Sequence, residues 1–232
     1  SYKILILLSI SAILISINWI GFIFAVSLNR IQDASMGYFL TPLVSISLGY
    51  FFLNEKISKA KFISILLMLS AIFILIISLK TLPILAIIIG TSWGLYGLLK
   101  KQINILSEIG LLYESFLLSL ISLPYIVYIN YTNTGFFMNE TMSTNYLLIL
   151  TGAITVFPLF LFNQGVKFIP LGFAGVIFYL APTFHFITSV FILNENLSLP
   201  KLIAFIIIWI GIIIFIIDII KNENKFIENN IQ

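Results

Sequence analysis

The sequence predicts an all-α membrane protein, a polytopic bundle of eight transmembrane helices. Three observations lead to this fold class. The chain of 232 residues is 60% hydrophobic and only 9% charged, whereas a soluble domain carries about 25% charged residues to face water. The apolar residues form eight continuous runs, each near the roughly 20 residues that cross a bilayer. The chain also matches itself, without a gap, at an offset of 140 positions.

The eight predicted spans follow one another closely along the chain. Their approximate ranges are 4–28, 34–53, 60–80, 82–101, 107–130, 145–166, 171–193 and 199–220. Continuous apolar runs argue against a transmembrane barrel, whose strands alternate, and a helix satisfies its own backbone hydrogen bonds in lipid. Of the 12 basic residues, nine fall on the side that both termini share. Because cytoplasmic loops are enriched in Lys and Arg, we expect both termini to be cytoplasmic.

The internal match is clearest between residues 34–58 and 174–198, where eight of 25 aligned positions are identical. These are Ala34/Ala174, Leu40/Leu180, Pro42/Pro182, Phe51/Phe191, Leu53/Leu193, Asn54/Asn194, Glu55/Glu195 and Ser58/Ser198. A self-match at a fixed offset indicates a duplicated architecture. Because the matched spans lie five helices apart, they would cross the membrane in opposite directions, as in inverted-repeat transporters.

The repeat also sets the predicted domain boundaries. Residues 1–80 would hold three helices of the first repeat, residues 81–220 the five helices of the second, and residues 221–232 a cytoplasmic tail. The second repeat opens with two spans that have no counterpart before span 1. We therefore predict a five-plus-five inverted repeat that lacks its first two helices, about 60 residues.

Several functional classes are disfavoured by composition. The chain has no cysteine, hence no thiolate nucleophile or disulfide, and its single histidine makes no metal site alone. No phosphate-binding loop is present, and the basic residues do not form a nucleic-acid patch. We expect no enzyme and no cofactor. The expected partners are the lipid bilayer and a small-molecule substrate, with a homodimer left open.

Glu114 is the main candidate for a functional side chain. It lies about two turns into span 5, where a carboxylate costs about 2.5–3.5 kcal/mol on insertion scales. One hypothesis makes it a site for proton coupling or for a substrate amine, facing the bundle interior near Tyr or Asn groups. The alternative is a structural carboxylate near the cytoplasmic interface, bonded to a neighbouring helix.

Further candidates are polar or aromatic groups within the spans. Asn18 must find a partner inside the bundle, and Trp93 and Tyr96 flank a stripe of glycines. Tyr179 lies three residues before the repeated Pro182. Trp93 is suited to stacking on a planar substrate, although packing is the more common role. His185 is either a proton relay or a histidine satisfied within the bundle.

Pro42 and Pro182 are candidate helix breaks because they occupy the same position in the two repeats. A proline within a helix frees a carbonyl group and kinks the helix, and such breaks often line a transporter's central cavity. We expect both to bend their helices toward a shared space; the alternative is a packing kink. Glu55 and Glu195, at the ends of their helices, are expected to make structural contacts.

Six stretches resemble one family of membrane proteins. They are NWIGFIFAV (18–26), GYFLTPLVSISLG (37–49), LYGLLKK (95–101), ESFLLSLISLP (114–124), FPLFLF (157–162) and YLAPT (179–183). In this order and spacing they resemble the RarD branch of the EamA family, within the drug/metabolite transporter superfamily. The resemblance implies ten helices in two inverted EamA repeats in the bacterial inner membrane, of which this chain resembles helices 3 to 10.

The sequence therefore predicts a permease that moves a small organic metabolite or drug by alternating access between its two inverted halves. A cavity lined by Asn18, Trp93, Tyr96, Glu114 and Tyr179 would favour transport. The alternative function is a non-transporting membrane scaffold or receptor, which predicts a bundle interior free of polar groups and no cavity.

Overall fold

The structure, a computed structural model, describes the backbone of residues 2–28, 31–79, 84–132, 134–135, 137–139, 141–187 and 199–231. Within these ranges the side chains of 31–36, 79, 182, 185–187, 201 and 222–231 lie outside the description. The helices are α1 (Tyr2–Ser27), α2 (Ile31–Leu53), α3 (Lys59–Leu79), α4 (Ile84–Gln102), α5 (Ser107–Tyr131), α6 (Met142–Gly165), α7 (Leu171–Ile177), α8 (Leu180–Ile187) and α9 (Leu199–Ile231). The regular structure of the described residues is thus entirely helical.

Six of these helices are long and apolar enough to cross a membrane: α1, α3, α4, α5, α6 and the Leu202–Lys221 part of α9. Their ranges agree with the predicted spans to within a few residues. The predicted span 34–53 corresponds to α2, whose apolar stretch Gly37–Leu53 is shorter. The α9 backbone continues to Ile231, through the segment that was expected to be a separate tail.

The predicted span 171–193 is divided in the structure. Between α7 and α8 the backbone hydrogen bonds join residues that are three apart instead of four. They run from Phe178 N to Gly175 O (3.0 Å) and from Ala181 N to Phe178 O (3.1 Å). The break has a chemical reason, because a proline at position 182 has no N–H to donate to the Phe178 carbonyl four residues earlier. Residues 188–193 of this span lie outside the described residues.

Pro42, the counterpart of Pro182, does not break its helix. The α2 helix is continuous through Pro42, and the expected bend of this helix toward a shared space stays a prediction. Close packing supports the helix here: a Cβ built on Gly175 of α7 would lie only 3.0 Å from the Cα of Pro42. A neighbouring helix that approaches this closely can stabilise a turn that has lost one hydrogen bond.

The described chain forms two compact units. Unit I comprises residues 1–16 and 96–169, and unit II comprises residues 17–95 and 170–232. The helices α1 and α4 each contribute one part to each unit, whereas α5 and α6 belong to unit I. The helices α2, α3, α7, α8 and α9 belong to unit II.

In unit II, α3 packs against α9 with the opposite chain direction. A Cβ at Gly211 would lie 3.2 Å from Ser64 O and 3.4 Å from Met68 Cγ, and one turn further Lys61 Nζ lies 5.5 Å from the Phe215 ring centroid. The buried positions of α3 are Ser64, Met68, Ala71, Ile72 and Leu75, and those of α9 are Ala204, Ile208, Gly211, Ile212 and Phe215. Each buried position of α3 is therefore 140 residues from a buried position of α9.

The second helix pair of unit II is α2 with α7, again antiparallel. A Cβ at Gly172 would lie 3.1 Å from Ile46 Cγ1, and Tyr179, just after α7, donates its hydroxyl to Phe39 O at 3.2 Å. Small residues at such contacts let helix backbones approach closely, which is a main source of helix association in membranes. The glycine stripe of α4 serves the same purpose, since Gly90 packs against the α2 backbone at Gly37 O.

The repeated Leu-Asn-Glu motif ends α2 and connects it to α7. Asn54 has a φ of 55°, a left-handed conformation that asparagine tolerates better than most residues. The Glu55 carboxylate then accepts hydrogen bonds from Leu171 N (2.5 Å) and Gly172 N (3.2 Å). It thereby satisfies two of the unpaired N–H groups in the first turn of α7. Glu195, its repeat counterpart, lies outside the described residues.

Two cysteines introduced at facing positions of α3 and α9 should form a disulfide. A Cβ at Gly211 would lie 3.5 Å from Leu67 Cβ, within the range of about 3.5–4.5 Å that disulfides require. In membranes treated with a mild oxidant, Leu67→Cys with Gly211→Cys should form an intramolecular cross-link, seen as a gel shift that reductant reverses. Leu66→Cys with Gly211→Cys is the matched control, because Leu66 is exposed on another face of α3.

The 140-residue relation predicts a second cross-link without any measured distance. Shifting Leu67 forward and Gly211 backward by 140 gives Ile207 and Ala71. If the two helices are related by a two-fold axis, Ala71→Cys with Ile207→Cys should cross-link as readily as the first pair. If the Leu67/Gly211 pair cross-links and the Ala71/Ile207 pair does not, the two-fold relation between α3 and α9 is contradicted.

Candidate functional site

Unit I contains a buried polar cluster built around Glu114. Its members come from four helices: Ser11 on α1, Tyr96 and Lys100 on α4, Glu114 on α5 and Asn163 on α6. Tyr96 and Lys100 are four residues apart, so they lie on one face of α4. All five residues are at least nine-tenths buried, and Glu114 is only 2% exposed.

The Glu114 carboxylate accepts from three side chains. Lys100 Nζ lies 2.5 Å from its Oε1 atom, and the Ser11 hydroxyl donates to the same oxygen. The Tyr96 hydroxyl donates to Oε2 at 3.4 Å, and Asn163 Nδ2 donates to the Tyr96 oxygen at 2.9 Å. An ionised carboxylate has only acceptors, so this arrangement fits the charged form of Glu114.

Burial makes this pair energetically important. Removing two opposite charges from water costs several kcal/mol per ion, a cost that close pairing and further hydrogen bonds offset. The same cost would be largely uncompensated if either charge stood alone. Aromatic packing adds to the cluster, since Lys100 Nζ lies 5.2 Å from the Tyr96 ring centroid and the Phe162 ring stacks against Tyr96 at 6.5 Å.

Two neighbouring lysines have a different role. Lys101 Nζ donates to Val166 O at 3.2 Å and to Ile169 O, where α6 ends and its last carbonyl groups lack helical partners. Lys167 Nζ donates to Ile105 O at 2.5 Å, in the connection between α4 and α5. These contacts are those expected of cations that satisfy helix ends and loops.

The other predicted site residues lie in unit II, where Asn18, Trp93 and Tyr179 have partners. Asn18 Nδ2 donates to Ile89 O at 2.8 Å and to Ser92 Oγ at 3.3 Å. Trp93 meets Phe178 edge to face, with ring centroids 4.9 Å apart, and Tyr179 is 2% exposed. The side chains of His185 and Pro182 lie outside the described residues. Within unit I, the structure brings Glu114 and Tyr96 together.

Sequence reasoning missed three members of the cluster. Lys100 was grouped with the lysines that set topology, although its position one turn after Tyr96 marked it as a possible interior residue. Asn163 is an amide within an apolar span, the same signal that identified Asn18. Ser11 is one of many serines in the spans, and no sequence feature distinguishes it from the others.

The fold and the cluster define the chain as a multi-pass membrane protein. Its six spanning-length helices carry exposed apolar side chains along most of their surfaces, and its charged interior groups are paired, as a bilayer requires. The EamA-like transporter family matches residues 81–217. The chain belongs to this family, and to its RarD branch, and this membership supports a membrane transporter.

Curated relatives agree with this assignment. An uncharacterised transporter, YojE of Bacillus subtilis, is 35% identical over 214 residues, which are 92% of this chain and 71% of the relative. Protein RarD of Escherichia coli is 32% identical over 219 residues, covering 94% of this chain and 74% of the relative. An uncharacterised transporter of Vibrio cholerae is 32% identical, covering 93% and 71%.

Replacing Lys100 should test the energetic importance of the pair. Lys100→Met leaves the Glu114 carboxylate buried without its cation, which typically costs about 3–5 kcal/mol. The full-length protein should unfold at a clearly lower temperature in detergent, as measured by light scattering or intrinsic fluorescence. Lys3→Met, a change of an exposed lysine on α1, should alter stability by less than about 0.5 kcal/mol. Equal effects of the two substitutions would contradict the buried pair.

Proposed function

We propose that the chain is part of a secondary permease that moves a small organic metabolite or drug across the bacterial inner membrane by alternating access. The observation that carries this proposal is the buried cluster of Ser11, Tyr96, Lys100, Glu114 and Asn163. A charged pair inside a lipid-facing bundle is costly to keep, and such groups usually mark an ion or substrate pathway. Family membership supports the same conclusion.

The proposed architecture counts eight spans, with α2 as one and the broken α7–α8 segment as another. We propose that they belong to an inverted five-plus-five repeat, with both termini cytoplasmic. The antiparallel packing of α3 with α9 and their matching buried positions support this architecture. So does the contact of Phe39 with Tyr179, its counterpart 140 residues later, because residues that touch their own symmetry mates lie near the symmetry axis.

Glu114 is the proposed coupling residue. In its ionised form it accepts from Ser11, Lys100 and Tyr96. Protonation would remove its charge, end the ion pair with Lys100 and give the carboxyl a hydrogen of its own to donate. The cluster would then have to rearrange. A rearrangement shared by α1, α4 and α5 would link proton movement to the rocking of the two halves.

The second candidate function is a membrane scaffold or receptor that transports nothing. It predicts an interior without polar groups, because polar groups in a bilayer are retained at a cost. The Glu114 cluster argues against it, since hydrophobic residues of similar volume would often stabilise such a bundle as well or better.

A transport screen tests the proposal. Purified full-length protein in liposomes should move at least one compound from a panel of small organic metabolites and drugs, measured by mass spectrometry. A proton gradient across the membrane should change the rate of movement. Glu114→Gln should reduce transport sharply and flatten its dependence on the proton gradient, because the side chain can no longer gain or lose a proton.

Glu108→Gln is the matched control, since Glu108 is an exposed carboxylate on the same helix. It should leave both the rate and the pH dependence unchanged. A panel in which no compound moves faster than in protein-free liposomes would favour the scaffold. Normal, pH-dependent transport by Glu114→Gln would make Glu114 a structural residue.

A further inference from the structure

A small cavity adjoins the Glu114 cluster inside unit I. Its volume is about 10 Å³, and it is lined by Lys100, Ile103, Ile105, Leu106, Ser107, Gly110, Asn163 and Lys167. The cavity therefore touches two members of the cluster, Lys100 and Asn163, and reaches the connection between α4 and α5. This volume suits about one water molecule and little else.

The hydrogen-bond directions of the cluster are fixed by its chemistry. An ionised Glu114 can only accept, so Tyr96 must donate its hydroxyl hydrogen to the carboxylate. The Tyr96 oxygen then accepts from Asn163 Nδ2, which fixes the orientation of the amide. The oxygen of this amide, Asn163 Oδ1, is buried and accepts no hydrogen bond within the described part of the chain.

Lys100 also has N–H donors without an acceptor among the described residues. Its ammonium group carries three hydrogens, and among the described residues its one hydrogen-bonding partner is Glu114. Lys100 is 4% exposed, so its remaining hydrogens are not generally solvated. The residues that carry this buried acceptor and these spare donors, Asn163 and Lys100, both line one water-sized cavity.

We infer that this cavity is a binding site for a single structural water, which accepts from Lys100 Nζ and donates to Asn163 Oδ1. This water closes a ring that runs from Glu114 through Lys100, the water, Asn163 and Tyr96 back to Glu114. Hydrogen bonds are donated from the ammonium group to the carboxylate along two routes. One is the direct contact of Lys100 with Glu114, and the other passes through the water, Asn163 and Tyr96. Both charges of the buried pair are then held by one continuous network.

Water is the ligand that the lining favours over ions. The two ammonium groups of Lys100 and Lys167 repel a cation. An anion larger than water exceeds the volume of about 10 Å³ and has no hydrogen to donate to Asn163 Oδ1. Only a small neutral molecule that both donates and accepts satisfies the two kinds of group, and buried waters typically make about three such bonds. The site does not depend on the proposed function, since it follows from the geometry of unit I alone.

Gly110 allows this site to be closed selectively. A Cβ at position 110 would lie 3.3 Å from Lys100 Nζ and 3.4 Å from Ile105 Cδ1, so Gly110→Ala places a methyl group against the cavity. No member of the hydrogen-bonded ring is altered by this substitution. Gly152→Ala is the matched control, because a Cβ there meets nothing within 4 Å.

Hydroxyl-radical footprinting of the full-length protein with a short X-ray pulse tests the site, because radicals made from bound water label the side chains beside it. Ile103 lines the cavity and is 3% exposed, whereas Ile89 is 1% exposed and does not line it. Ile103 should be labelled several-fold faster than Ile89. Gly110→Ala should reduce the labelling of Ile103 toward that of Ile89, and Gly152→Ala should leave it unchanged.

Two results would overturn the inference. One is labelling of Ile103 that is as slow as that of Ile89 in the unsubstituted protein, a comparison that needs no variant to fold. The other is labelling of Ile103 that Gly110→Ala leaves unchanged, which would place the water elsewhere. Neither readout involves transport, so the result is independent of the test of Glu114 as a coupling residue.

Discussion

The paired charges of Lys100 and Glu114 are the constraint on which unit I depends. A carboxylate inside a bilayer costs about 2.5–3.5 kcal/mol on insertion scales, and little water is available to satisfy it. Glu114 is instead satisfied by Ser11 and by Tyr96 in addition to Lys100. Because these partners come from α1 and α4, the carboxylate fixes three helices in one register, and Asn163 adds α6 through Tyr96.

Unit II depends on a different kind of interaction. Its helix pairs meet through small residues such as Gly175 and Gly211, whose missing side chains let the neighbouring backbone come close. In a membrane such packing replaces the hydrophobic effect as the source of association, since lipid is as apolar as the side chains. The Glu55 cap on the first turn of α7 adds the main polar contact between α2 and α7.

Much of this fold could be predicted from the sequence, because hydrophobic runs of about 20 residues have few alternatives in a membrane. The interior position of Glu114 followed from its cost in lipid. The partners were harder to predict. Lys100 and Lys101 look alike in the sequence, but successive residues on a helix point about 100° apart. Only the fold directs one toward Glu114 and the other toward the carbonyl groups of Val166 and Ile169. Likewise, tertiary packing decides that α2 continues through its proline.

Neutralising Lys100 and Glu114 together tests the role of the buried pair most directly. The full-length protein with Lys100→Met and Glu114→Gln has no buried charge left unpaired, and its glutamine can still accept from Ser11 and Tyr96. Folded yield and proton-driven transport would be measured beside those of Lys100→Met alone. The double variant should regain much of the stability that Lys100→Met alone loses. Its transport should be independent of pH, or absent. A double variant that is stable and transports with the pH dependence of the unsubstituted protein would contradict the account.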